Sequence, residues 1–452
     1  MGMITLEQAA QWCGGLVDPK YKEVTFLGAN NDSRKIQPGQ LFIALQGERD
    51  GHDFVPMALE KGAAAVLCSR DVGAVPSIIV PDTRKALGDI ARGERMRLGM
   101  KVVGVTGSVG KSTTKEMICA VLARKYKVSK TPANHNNDIG MPMAVLSMPE
   151  DTQVAVLEMG MNHFREIAYL ASIGQPDVGV ITNIGTMHIE HLGSQQGILQ
   201  AKLEILEGMK EDGVVILNGD DPLLWNLHRV HERPIEYFSV QNPECRFQGT
   251  DLVESQGQLR FRAGTGDGSI IVELALEGEH YVSDAMAAVG VGITLGVDPE
   301  DIRQALEQFQ NMAGRQEIFQ AKGCTIIKDC YNAGPESMAA ALAVLGNRSG
   351  RRVAVLGDML ELGVCAPAEH YRIGRIAAEK AELVLAYGPN SGRIVSGAIT
   401  GGLSEHMVRA YDDRDALAAD MRRLIQPGDV VLVKGSRGMR MELALDEFLK
   451  ER

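Results

Sequence analysis

The stretch "VVGVTGSVGKSTTKE", Val102 to Glu116, constrains the fold more than any other part of the chain. A β-rich run closes on glycine and passes at once into a helix-like segment, "KSTTKEMICAVLARKY". Strand, glycine turn and helix in that order make a phosphate loop, because backbone N–H groups at the turn and helix N-terminus face an anion. The spacing G-x-x-x-x-G-K-[ST] needs a glycine where this chain has Val105, so Gly107 takes that part. The loop then comprises Thr106, Gly107, Ser108, Gly110, Lys111, Ser112 and Thr113. Lys111 suits the β- and γ-phosphates and the Ser112 hydroxyl suits Mg²⁺. A chance G-K-S in an ordinary strand–turn–helix is the competing reading. Thr113, Thr114 and Lys115 give a polar helix opening, which a solvated first turn explains equally well.

From about residue 100, apolar runs alternate with helical patterns: "VAVLEMG", "DVGVITNIG" and "GVVILNGDD" follow the loop. Such runs suit parallel strands buried on both faces, with ligands at their C-terminal ends. A second series, "CTIIKDCYN", "RRVAVLGDML", "AELVLAYG" and "DVVLVKGS", ends in the helix-like "MRMELALDEFLKE". The first hundred residues form a smaller module containing "GQLFIALQG". The expected fold is α/β in three domains: a small N-terminal α/β domain (1–98), a central doubly wound parallel-sheet phosphate-loop domain (99–314) and a C-terminal Rossmann-like domain (315–452). The second boundary falls at "NMAG".

A net charge of −11 argues against a nucleic-acid partner, which needs a basic face. The opening residues show no basic stretch followed by an apolar run, so no signal peptide is expected, and no apolar run approaches the roughly 18–20 residues that span a bilayer. The 7 cysteines show no paired spacing, so reduced thiols in a cytoplasmic protein are expected.

A phosphate loop needs a carboxylate for its metal. Glu158, closing "VAVLE", is placed for that, or is a surface glutamate after a strand. In "TNIGTMHIEHLGS" a strand ends at Thr182 and Asn183, and either His188 or His191 could serve a metal. Lys202, in "ILQAKLEILEG", is a further candidate, or a helix lysine with its stem on apolar neighbours.

These residues resemble the Mur ligase family of peptidoglycan synthesis, whose loop T-G-[ST]-x-G-K-[ST] matches Thr106 to Ser112. "DSRKIQPGQLFIALQGERDGHDF" is similar to the family's N-terminal uridine-diphosphate signature. "NHNNDIGMP", "DCYNAGPESM", "VLGDMLELG" and "VLVKGSRGMRME" resemble the branch that adds D-alanyl-D-alanine, and the D-N-P-R motif of the tripeptide-forming branch is absent.

The resemblance implies an ATP-dependent ligase. UDP-N-acetylmuramoyl-tripeptide is phosphorylated on its terminal carboxylate, and the amine of D-alanyl-D-alanine attacks the acyl phosphate. It implies that Ser33 and Arg34 hold the uridine diphosphate and that Asn134, Asn136 and Asn137 line the muramoyl-peptide path. Ser112 and Glu158 would hold one Mg²⁺ and His188 a second, with Lys202 matching a lysine that is often carbamylated. Asn183, Asp284, Arg315 and Asp329 would serve the nucleotide. Tyr331, Asn332, Lys434, Ser436 and Arg437 would border the dipeptide. A monomer without membrane insertion is implied as well. The chain departs from the family at "HYVSDA", where Asp284 replaces an adenine-contacting asparagine; an ionised aspartate accepts hydrogen bonds and donates none. Gly334 and Cys330 are further departures. Two other readings stand beside this one: a tripeptide-forming or folylpolyglutamate-type ligase, and a non-enzymatic nucleotide switch.

Overall fold

The apolar runs become strands buried on both faces. Val103, Val105, Val154, Val156 and Val180 are wholly inaccessible to solvent. The computed structural model describes residues 3–227, 233–255, 257–312 and 314–450. Within "NMAG", Ala313 lies outside the described residues, as does Glu451 at the end of the last helical stretch.

The central sheet runs in the order Val128–Lys130, Val154–Glu158, Lys101–Thr106, Val178–Ile181, Val214–Asn218, Ile235–Ser239, Phe247–Ser255, Gln258–Gly264 and Ser269–Leu274. Strands from Val128–Lys130 to Phe247–Ser255 pair in parallel, and the last two add antiparallel. The loop strand Lys101–Thr106 therefore lies between neighbours on either side, and its carboxyl end opens at the crevice where α/β sheets take ligands.

The antiparallel extension alternates buried and exposed residues along Gln258–Gly264, the signature of a sheet with one face in water. Its covered face packs under the helix His280–Thr294, which is buried on most of its surface. Small residues make that depth possible: a Cβ on Gly292 would lie 2.7 Å from Val121 of the phosphate-loop helix Lys111–Leu122. This close packing carries Asp284 to the loop.

The C-terminal sheet is ordered Glu317–Ala321, Cys324–Asp329, Val430–Lys434, Arg352–Gly357, Leu383–Tyr387 and Val408–Tyr411, parallel after its first strand. Asp329 and Lys434 are register partners at the carboxyl end of adjacent strands. The N-terminal sheet runs Leu16–Val17, Ser77–Ile79, Ala65–Cys68, Leu41–Ile43 and Ala29–Asn30. No helix among the described residues is long and apolar enough to cross a membrane, and all the cysteines are free.

The N-terminal layer shares a core with the central unit: Leu6, Leu87 and Ile90 belong to one buried cluster with Leu157, Ile167 and Ile205. The helix Thr83–Leu98 mediates this, capped by Asp82 at one end and left-handed Gly99 at the other. Trp12 packs against it, where a Cβ at Gly93 would fall 2.1 Å from the indole. Gly93→Ala should therefore cost about 1–3 kcal/mol through overpacking, read as a lower urea midpoint; an unchanged midpoint would mean the two helices are not in fixed contact.

Candidate active site

The phosphate loop is shaped from outside by the chain leaving Val178–Ile181. Asn183 bonds Val109 twice, accepting from its N–H at 3.0 Å and donating to its carbonyl at 3.1 Å. The Thr182 hydroxyl donates to the same carbonyl at 2.5 Å, and Gly185 N–H donates to Ser108 Oγ at 2.9 Å. Gly107 has φ +150, and a Cβ there would sit 1.8 Å from Thr182 Oγ1. Only glycine fits this junction. Lys111 folds onto the loop, donating to the carbonyls of Gly107 at 2.8 Å and Ser108 at 3.2 Å. Burial pulls its pKa below the ordinary lysine value.

Glu158 ends its strand almost fully buried, so the surface-glutamate reading fails. Its Oε1 accepts from Asn136 Nδ2 at 2.9 Å, while Oε2 is buried without a hydrogen-bond partner. Lys115 lies 3.8 Å from that oxygen and donates to Thr131 O at 2.8 Å. Lys115 is completely buried, so of the two readings left open the solvated first turn fails for it: the strand Val128–Lys130 and Thr131 cover it.

His188 and His191 are now separated. His188 borders the cleft, with Nδ1 2.5 Å from Glu361 Oε2, and this contact holds the Glu361 carboxyl below its usual pKa. His191 is exposed and stacks on His163. Lys202 is buried, so the surface-stem alternative fails. Burial first, then the charge of Lys111, drives its pKa well below the ordinary lysine value.

The C-terminal unit completes the cleft. Arg315 donates to Ser112 Oγ at 3.2 Å, and its guanidinium lies 3.9 Å above the Tyr331 ring. Lys434 is 2.5 Å from Asp329 Oδ2 and donates to Asn332 O at 3.1 Å. Arg437 stands at the rim, largely exposed. The cleft measures about 960 Å³ and also takes in Asn134, Asn137, Asn183 and Asp284. Thr106, Gly107, Lys202 and Ser436 do not line it. Ser436 is buried, donating to Ala333 O and accepting from Leu360 N–H, so it shapes the loop that follows the strand. A second cavity of about 590 Å³ contains Ser33, Arg34, Asn30, Arg49 and His135. The segment 134–138 therefore walls both cavities.

Asp284 lies against the helix start, accepting from Thr114 Oγ1 at 2.8 Å. Burial raises its pKa from 3.8 to about 7, against the opposing pull of Thr114 and Arg315. It is therefore not the pure acceptor expected from its type, since near neutrality the protonated form also donates. The helix position was legible in sequence; the burial that retunes the group was not.

Strand, loop, helix and a facing α/β unit across one cleft define a phosphate-loop enzyme. The "Mur ligase middle domain" matches residues 105–292, the "Mur ligase, glutamate ligase domain" residues 314–437 and the "Mur ligase family, catalytic domain" residues 23–95. UDP-N-acetylmuramoyl-tripeptide–D-alanyl-D-alanine ligase of Bacillus subtilis is 40% identical, over 97% of this chain and 96% of its own length. The Escherichia coli protein of the same name is 36% identical, over 97% of each. A crystal structure of MurF from Acinetobacter baumannii superposes with TM-score 0.93 at 33% identity over 100% of both chains. MurF ligase from Thermotoga maritima in complex with ADP gives 0.83 at 31% identity, over 94% of this chain and 97% of that one. The chain belongs to the Mur ligase family.

Two substitutions test the geometry. Gly107→Ala should weaken ATP-analogue binding at least about tenfold through strain at the loop, measured by calorimetry. Asp284 has a folded pKa above its unfolded value, so the folded state holds the extra proton between them. Its contribution to stability is full below pH 3.8 and is lost as pH rises through about 7. Asp284→Asn should remove that slope and be more stable at about pH 8 by on the order of 1–4 kcal/mol. Parallel urea midpoints for both forms across this range would contradict it.

Proposed function

We infer that this chain is an ATP-dependent ligase that joins D-alanyl-D-alanine to UDP-N-acetylmuramoyl-tripeptide, giving the UDP-muramoyl-pentapeptide of cytoplasmic peptidoglycan precursor synthesis. The observation that carries the reading is the cleft itself, where Arg315 of the C-terminal unit reaches Ser112 of the phosphate loop. A reaction of three substrates needs such a meeting point. The functional division we propose is 1–98 for the uridine diphosphate, 99–314 for ATP and 315–452 for the incoming dipeptide.

In this reading the second cavity, with Ser33 and Arg34, takes the nucleotide-sugar end. Asn134, Asn136 and Asn137 guide the peptide along the shared wall toward the loop. Lys111 exchanges its loop carbonyls for the β- and γ-phosphates, and the loop N–H groups offset the charge of transfer. Arg315 and Asp329 approach the nucleotide from the facing unit, and Asn183 keeps the loop in shape. Tyr331, Asn332, Lys434 and Arg437 border the dipeptide, with Ser436 supporting their loop from beneath.

Among the described residues no group of three or more His, Cys, Asp or Glu side chains is arranged for a metal ion. The donors present are a hydroxyl and single carboxylates, which suits Mg²⁺ because it keeps water and phosphate oxygens as its other ligands. The unpartnered buried Oε2 of Glu158 fits that role beside Ser112. His188 is the candidate for a second ion. Lys202 fits carbamylation, since a neutral amine is the reactive form and the product would convert a buried positive charge beside Lys111 into a negative one. When bound, Mg²⁺ supplies charge neutralisation at the transferring phosphoryl group.

The chemistry needs no side-chain nucleophile. The tripeptide carboxylate takes the γ-phosphoryl group, and the acyl phosphate must then be kept from water until the amine arrives. Phosphate release measured with lysine- and diaminopimelate-containing UDP-tripeptides should require D-alanyl-D-alanine with at least one of them, and Lys111→Ala should abolish it. Release driven instead by glutamate or a free diamino acid would assign the chain to another ligase, and ATP binding without any turnover would point to a switch.

A further inference from the structure

Glu336 opens the helix Pro335–Gly346 of the C-terminal unit, yet its carboxylate belongs spatially to the central unit. Oε1 accepts from both Thr186 N–H at 3.0 Å and Thr186 Oγ1 at 3.1 Å. Oε2 is buried without a hydrogen-bond partner, and a Cβ placed on Gly185 would lie 2.9 Å from it. Gly185 is the residue whose N–H holds Ser108 of the phosphate loop, so this oxygen sits one residue from the loop. Glu336 also lines the main cleft, three to five residues along the chain from Tyr331, Asn332 and Ala333.

Four of the other carboxylates of the cleft are engaged, and the fifth, Glu158, has its own open oxygen in the place assigned to the metal. Asp329 faces Lys434 at 2.5 Å, Asp138 faces Arg84 at 2.7 Å, and Glu166 accepts from Asn162 N–H at 2.6 Å. Asp284 is held by Thr114, and Glu158 stands beside Lys115. A buried carboxylate oxygen with no donor is costly to keep. A cationic donor from a ligand removes that cost.

We propose that Glu336 Oε2 binds the ammonium group of the incoming dipeptide and takes its proton, a step that rests on the ligase reading above. At neutral pH an α-amine is mostly protonated and has no lone pair to offer. Transfer of one N–H proton to Oε2 frees the pair, which forms the N–C bond at the acyl carbon. The C–O bond to phosphate then breaks, phosphate leaves with those electrons, and the second amine proton goes to it. Glu336 returns its proton to solvent. The Thr186 bonds hold Oε1, which leaves Oε2 as the oxygen free to take a donor once a ligand opens a path to it.

Glu336→Gln separates this role from a mere contact between units, because the amide oxygen still accepts from Thr186. The variant should lose at least about tenfold in kcat/KM for D-alanyl-D-alanine at pH 7, with the deficit narrowing above about pH 9, where the amine is already neutral. Glu336→Asp should recover part of the loss. Capture of the acyl phosphate by hydroxylamine, a nucleophile needing no deprotonation, should stay within about twofold of wild type. Equal dipeptide kinetics for Glu336→Gln and wild type from pH 6 to 9 would overturn the proposal. So would an equal loss of hydroxylamine capture, which places Glu336 in the activation step or the fold. Wild-type enzyme run alongside tests the ligase reading separately, and if it joins no dipeptide, that reading falls and this step with it.

Discussion

The cleft hangs on the docking of Thr182–Gly185 against the phosphate loop. Asn183 and Thr182 fasten the carbonyl of Val109, and Gly107 gives up its side chain so that Thr182 can approach. The residues that follow turn outward and meet the C-terminal unit, Thr186 at Glu336 and His188 at Glu361. One short segment thus fixes the anion cradle on one side and the facing wall on the other. The dense bonding has a physical source, since loop groups buried this deeply must find partners within the protein.

Local charge explains how an acidic chain handles anionic reactants. The net charge of −11 resides on a surface rich in paired carboxylates, while Lys111, Lys115, Lys202, Arg315 and Lys434 converge near the carboxyl ends of two sheets. Several are buried, and desolvation pulls Lys111 and Lys202 toward neutrality. A cradle of weakened cations accepts a phosphate more readily than it tolerates its own unscreened repulsion.

Much of this was legible in the chain. The parallel strands announced themselves as unbroken apolar runs, and Val105 read correctly as strand once Gly107 was seen to open the loop. The antiparallel extension 247–274 does not follow from the unbroken apolar runs that mark the other strands, because its apolar residues alternate with charged ones, as in Arg260 and Glu273. The solvated turn could not be excluded for Lys115 because its cover comes from Thr131, sixteen residues on. His188 and His191 could not be told apart by type or neighbourhood; only the Glu361 wall distinguishes them. Glu336 was invisible for a related reason, since its partner Thr186 is 150 residues away.

The segment 134–138 has a consequence of another kind. Asn136 holds Glu158 from the main cleft, while its neighbour His135 faces the second cavity, and Gly140 permits their tight turn because a Cβ there would lie 2.6 Å from His135 Cα. Any ligand that shifted this strip from one side would alter the grip on Glu158 from the other, and reciprocity would then bind the two affinities by one factor. The two chambers are separate as volumes but share this strip as a common wall.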